Sequence, residues 1–246
     1  MYADDLIIMC DKEGELNEVV ERFEEETRKC GLTISVKKTK KLVTGENVEN
    51  EIELKVRNEV VESVDEFVYL GSLVTKSGGC SREIERRINL GNFKFHELQS
   101  AVWKQPGISI NTKVQIYKAS VLSTVLYGAE AWTCTNEDYA KPNTFNTKRL
   151  RAILGRNKDE ISNERLYKIT KTTSLENQVR KYRLRWLGHV RRMNDTRLPK
   201  KILFGEMVGG RKSRGRPRKE WLDCIREDCE ACGIQSDQWR NVSKDR

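Results

Sequence analysis

Histidine is almost missing from this sequence: His96 and His189 are the only two in 246 residues. That scarcity argues against zinc. Cys224, Cys229 and Cys232 have the C-x₄-C-x₂-C spacing of a zinc knuckle, but no fourth ligand follows them and both histidines lie upstream. Leu222, Ile225, Cys229 and Cys232 also recur at helical spacing, so a buried stripe is expected there and no zinc site is assigned. The seven cysteines are odd in number and irregularly spaced, which excludes a disulfide framework. No apolar run approaches the roughly 18 residues of a membrane span, and no charged-then-apolar leader opens the sequence. Nor does any repeat recur at a period of about 20–50 residues. These absences predict an intracellular, reduced setting away from membranes.

What is plentiful is charge. Charged residues make up 34% of the chain and hydrophobic ones 37%, so a modest core under a large charged surface is expected. The net charge of +9 is unevenly spread: residues 1–66 hold 10 basic and 18 acidic side chains, whereas residues 147–219 hold 23 basic and 6 acidic ones. Such a concentration suits a polyanion, because each Lys or Arg that neutralises a phosphate releases counterions. A solvated, highly charged helical surface is the competing explanation.

The chain opens on Met1-Tyr2-Ala3-Asp4-Asp5, followed at once by the apolar Leu6-Ile7-Ile8-Met9-Cys10. A strand, tight turn and second strand would project Asp4 and Asp5 from a hairpin tip. Magnesium needs rigid oxygen ligands of this kind, and paired ions held by carboxylates stabilise the attacking and leaving oxygens of phosphoryl transfer. An ordinary loop ending would look the same. Next, Leu16, Val19, Val20 and Phe23 give an apolar stripe to an acidic helix over residues 14–29, Gly31 suits its cap, and Leu32 to Val36 alternate as a returning strand. Lys37, Lys38, Lys40 and Lys41 then cluster in a basic turn. Further on, Arg57-Asn58 can turn a short hairpin, and Phe67 to Thr75 reads as an aromatic and aliphatic strand ended by Gly78-Gly79.

From Ser81, a plausible N-cap, the periodicity becomes helical. Val114, Tyr117, Val121, Leu122, Val125 and Leu126 mark the most apolar helix of the chain, and Leu150 to Leu154 and Leu166 to Ile169 suggest two shorter ones. Across 176–193, Val179, Tyr182, Trp186, Leu187 and Val190 fall on one helical face. Arg180, Lys181, Arg183, Arg185, Arg191 and Arg192 crowd the others, so this helix could bury one side and grip phosphate with the rest. His189, beside the apolar face, suits packing or phosphate contact. The run from Arg211 to Lys219, with Arg214 and Arg216 around a Gly, fits an A·T minor-groove hook, an import signal or a flexible basic linker.

Five segments, in order, resemble the reverse transcriptases of non-LTR (LINE-like) retrotransposons. Tyr2-Ala3-Asp4-Asp5 resembles the catalytic palm motif, and Gly31 to Lys40 the Gly-Leu and Lys-Thr segment after the palm helix. Phe67-Val68-Tyr69-Leu70-Gly71-Ser72 is similar to the primer-grip hairpin, Ser123 to Trp132 to a thumb helix, and Leu184 to Met193 to a segment downstream of it.

The resemblance implies an α+β fold: a truncated palm with a small antiparallel sheet and a helix over residues 1–79, a helical thumb over 80–146, and a basic helical region over 147–246. It implies RNA-templated DNA synthesis with Mg²⁺ held by Asp4 and Asp5, and Lys38 aiding departure of pyrophosphate. Tyr2, Tyr69, Leu70 and Gly71 would lie against primer or template, while Arg180, Arg183, Arg185, Arg191, Arg192, Arg214 and Arg216 would touch nucleic acid. Partners would be an RNA template and a DNA primer or target, in the nucleus or cytoplasm. A parent polyprotein would supply an endonuclease, the fingers and an earlier palm aspartate. The chain is then expected to be a clipped enzyme inactive alone, or a non-catalytic nucleic-acid-binding remnant working through residues 147–219.

Overall fold

The computed structural model describes residues 5–10, 13–44, 53–205 and 219–234. The chain is α+β and divides into two compact units, Met1–Gly79 and Cys80–Arg246.

In the first unit α1 (Glu13–Lys29) turns Val20 fully inward and Leu16 and Phe23 partly so. Val19, expected on the same stripe, is 41% exposed, because the small sheet elements beneath the helix cover a narrow strip of it. Among the described residues the strands of this unit form three two-stranded pieces. Strand β1 (Lys40–Lys41) runs parallel to β4 (Glu62–Ser63), and β2 (Lys55–Val56) pairs with β3 (Glu59–Val60) through a turn at Arg57-Asn58, as the sequence predicts. Val20 packs with Leu54, Val56 and Val61, bordered by Ile8, Leu16, Ile34 and Val36. Ile34 and Val36 are half-buried, but Leu32, expected on the same face, is exposed, and the segment forms no strand, since no edge among the described residues pairs with it. Arg57 ties this layer together. Its guanidinium donates to the Ile34 carbonyl at 2.6 Å and lies 3.2 Å from the Glu24 carboxylate on α1.

The stretch read as one strand from Phe67 is a hairpin, β5 (Glu66–Tyr69) and β6 (Ser72–Thr75), paired Tyr69 to Ser72. Its two-residue turn places Leu70 at φ 45° and Gly71 at φ 81°. Turns of this kind match the twist of the flanking strands and suit Gly, but a leucine in left-handed backbone costs about 1–2 kcal/mol.

The second unit is helical. Helix α2 (Ser81–Glu97) is preceded by Cys80 at the N-cap position, so Ser81 is the first helical residue and no cap; its hydroxyl donates instead to Asp138 at 2.6 Å. Helix α3 (Ile110–Ile116), a π-helical turn (Tyr117–Leu122) and the short α4 (Ser123–Val125) form one apolar rod. Tyr117, Val121 and Val125 are wholly buried on it, which puts this segment at the centre of the unit as its composition predicts. At Gly91 of α2 an added Cβ would come 2.4 Å from Val125 Cγ2, so the absent side chain sets how closely the rod approaches.

Helix α5 (Asn136–Leu154) starts with a capping box in which Thr135 and Asp138 satisfy each other's free amides. It contributes Phe145, Leu150 and Ile153 to the core. The same core takes in Leu166 of α6 (Asn163–Thr170) and Leu175 and Val179 of α7 (Leu175–Arg191). Helix α5 runs through residues 146 and 147, where thumb and C-terminal region were expected to part, and both sides of that point share one apolar interior. Two inward polar pairs cross this interior: Tyr117 Oη donates to Asn146 Oδ1 at 3.0 Å, and Asn143 Oδ1 accepts from the Leu175 amide at 2.8 Å. Helices α8 (Leu198–Phe204) and α9 (Trp221–Ala231) finish the unit; Ile225 and Cys229 of α9 pack against Leu187 of α7.

Candidate nucleic-acid interface

Three expected palm residues fall on separate segments of the first unit. Asp5 is exposed in an isolated β-bridge. Lys38 sits exposed on a turn closed by the Ser35 carbonyl, which accepts from the Lys38 amide at 3.1 Å and the Thr39 amide at 2.9 Å. Tyr69 is half-buried at the end of β5, with Leu70 and Gly71 at the hairpin tip. No hydrogen bond or ion pair joins Asp5, Lys38 and Tyr69 among the described residues. Tyr2, Asp4, Arg214 and Arg216 lie outside the described residues, as does the run from 211 to 218.

Among the described residues, no group of three or more His, Cys, Asp or Glu is placed to hold a metal ion. Magnesium asks for six oxygens in near-octahedral array, and Asp5 offers one carboxylate. The described residues alone do not fit the ion. Of the C-terminal cysteines, Cys224 and Cys229 are buried on α9, and burial pushes the Cys229 thiol up to about 11, as befits a packing residue rather than a thiolate ligand.

Helix α7 separates the expected phosphate-binding arginines into different classes. Ser174 caps it, its hydroxyl accepting from the Asn177 amide at 3.3 Å. Arg183 is 2% exposed and fully engaged: its Nε and Nη2 donate to the two oxygens of Asp228 on α9 at 2.7 and 2.8 Å, and Nη1 donates to the Trp132 carbonyl at 3.1 Å. Burial alone would lower the Arg183 pKa, but the hydrogen bonds and charge of Asp228 outweigh it and raise the value. Arg183 therefore cannot reach a phosphate, and its role is to clamp α9 to α7. Arg180 is half-buried beside it, shared among Asp228, Glu176 and Asn177. Arg191 is half-buried with its guanidinium 5.7 Å from the Phe204 ring centroid.

Arg185 and Arg192 differ. Both are exposed, as is Lys181, and none of the three has an ion-pair partner among the described residues. Lys181, Arg185, His189 and Arg192 follow one another at intervals of four, four and three residues, which aligns them along one side of α7. Beside that line lie Tyr182 and Trp186. Trp186 was expected on the buried face, yet it is 38% exposed, with its ring 5.4 Å from that of His189. Tyr182, Arg185, Trp186, His189 and Glu130 line an open hollow of about 220 Å³. Glu130 belongs to a 3₁₀ turn (Ala129–Ala131) packed on α7, and its carbonyl accepts from Trp221 Nε1 at 2.8 Å. Trp186 and Glu130 are the surface residues that periodicity alone did not find. The available signal was the aromatic sequence of Tyr182, Trp186 and His189 bordering an unpaired cationic line.

Residues 1–74, within the first unit, match the family described as reverse transcriptase (RNA-dependent DNA polymerase). The whole chain is similar to an uncharacterized transposon-derived protein of Caenorhabditis elegans, at 22% identity over 264 residues that take in 100% of this chain and 91% of that protein. No solved structure matches it.

Proposed function

We propose that the chain is a fragment of a non-LTR, LINE-like retrotransposon reverse transcriptase whose helical unit grips nucleic acid, and that its own activity is binding and not synthesis. The observation that carries this reading is the line of exposed cations Lys181, Arg185 and Arg192 on α7, unpaired among the described residues, in a chain whose first 74 residues match a reverse transcriptase. Polyanion binding needs accessible charge, and these are the cations of α7 that are exposed and carry no ion pair among the described residues. In the parent enzyme the ligands are an RNA template and a DNA primer or target, the hairpin tip at Tyr69, Leu70 and Gly71 lies against primer, and Asp4, Asp5 and Lys38 work beside Mg²⁺ together with carboxylates from other segments. An Asp-Asp pair alone repels itself without a complete coordination shell to offset it. The nucleus is the proposed site of action.

Two measurements test this. Binding to an RNA–DNA hybrid should weaken steeply with salt, and the triple variant Lys181→Ala, Arg185→Ala, Arg192→Ala should lower the slope of log affinity against log salt by about 2–3. A slope unchanged in the triple variant would refute the charge argument. Primer extension with Mg²⁺ should give no incorporation above that of Asp4→Asn. Synthesis that depends on Asp4 would overturn the restriction to binding.

A further inference from the structure

We infer that the hollow on α7 is a stacking site for an unpaired nucleobase, so that this helix prefers single-stranded over fully paired nucleic acid. The inference rests on the nucleic-acid-binding reading above and adds the part of the ligand recognised. An indole at the surface of a soluble helix is costly to leave wet, and Trp186 is 38% exposed beside His189 while Leu187 and Val190 on the same helix are buried. The two rings, 5.4 Å apart and inclined at 42°, do not stack on each other. The hollow beside them is open and bordered by Tyr182.

The polar rim defines the guest. Arg185 stands at the edge without an ion-pair partner among the described residues, with Lys181 and Arg192 one turn or more to either side, so a phosphate backbone can run along the cationic line while a base turns into the hollow. Glu130 also lines this space, and its carboxylate would be an acceptor for the exocyclic amine that adenine, cytosine and guanine all carry. A carboxylate in this position disfavours a second phosphate and favours a base edge. In a paired duplex the base faces are stacked on their neighbours, so the hollow can be filled only by an unpaired residue.

The test compares, on the full chain, a labelled single strand with an abasic strand of equal phosphate number, using fluorescence anisotropy. Trp186→Ala should weaken binding of the normal strand about tenfold while leaving the abasic strand within about twofold, and Trp186→Phe should recover most of the loss because a phenyl ring still stacks. Equal losses on both strands, or none on either, would overturn the stacking site while leaving the charge-based reading in place. Failure of the unaltered chain to bind either strand would remove both. Trp186 is 38% exposed, so its replacement should lower the thermal unfolding curve only slightly; a markedly lowered curve accompanied by equal loss on both strands would identify a structural role instead.

Discussion

Replacing Asp228 by Ala should unfold the helical unit far more readily than its position on the last described helix suggests. Asp228 is 2% exposed and takes three guanidinium contacts, two from Arg183 and one from Arg180 at 3.3 Å. Removing it strands the Arg183 cation in an interior where the Trp132 carbonyl and the nearby Tyr139 are what is left to offset its charge among the described residues. Loss of one partner from a buried pair costs about 3–5 kcal/mol, which for a unit of this size corresponds to a melting point lower by roughly 10 °C. All five tryptophans, Trp103, Trp132, Trp186, Trp221 and Trp239, lie beyond residue 79, so their fluorescence follows this unit alone. The double variant Arg183→Met, Asp228→Leu should recover much of the loss, since it removes both charges from the interior at once. An Asp228→Ala protein within about 1 kcal/mol of the original in urea unfolding would refute the clamp. So would a double variant no better than the single one.

Three further outcomes follow from local geometry. Gly91→Ala would place a Cβ 2.4 Å from Val125 and 3.2 Å from Phe145, so a destabilisation of about 1–3 kcal/mol is expected in the same fluorescence assay. Lys171, which closes α6 at φ 48°, should gain about 1 kcal/mol on replacement by Gly, and the hydrogen bond its carbonyl accepts from Lys118 survives the change. Asp138 is partly desolvated, which raises its pKa, but hydrogen bonds from Ser81 and Thr135 outweigh that and hold it below the ordinary value of 3.8. Its contribution to stability is therefore complete above that value and fades as the pH falls below it; Asp138→Asn should flatten this acid limb of the stability curve.

The central rod was legible because Val114, Tyr117, Val121 and Val125 repeat at the helical period and burial depends on little else. The hairpin at Arg57-Asn58 was legible from turn chemistry. What stayed hidden were facts decided by distant partners. Arg183 reads as a surface cation until Asp228, 45 residues later, is brought against it. Trp186 counts as apolar in any periodicity, yet whether it is covered depends on where the turn at residues 129–131 and α9 settle on α7. Leu32 to Val36 have the alternation of a strand, but a strand exists only when an edge is free to pair with it. The candidate site was accordingly half-readable: Arg185 and Arg192 stand exposed as expected, while the aromatic wall beside them required the fold. Ser81 was misread because a hydroxyl at a helix start has two uses, and here it serves Asp138.

The continuity of α5 through residues 146 and 147 has a mechanical consequence. Leu150 and Ile153 on one side share an interior with Leu166, Leu175 and Val179 on the other, so α7 is no tethered basic arm whose reach and local concentration would be set by a linker. Its cations are bolted to the same rigid body as the apolar rod. A pull applied to α7 would be transmitted as torque to that whole body, with no slack to absorb it, and a cut between the two halves would release two sticky fragments where one sound lever had been.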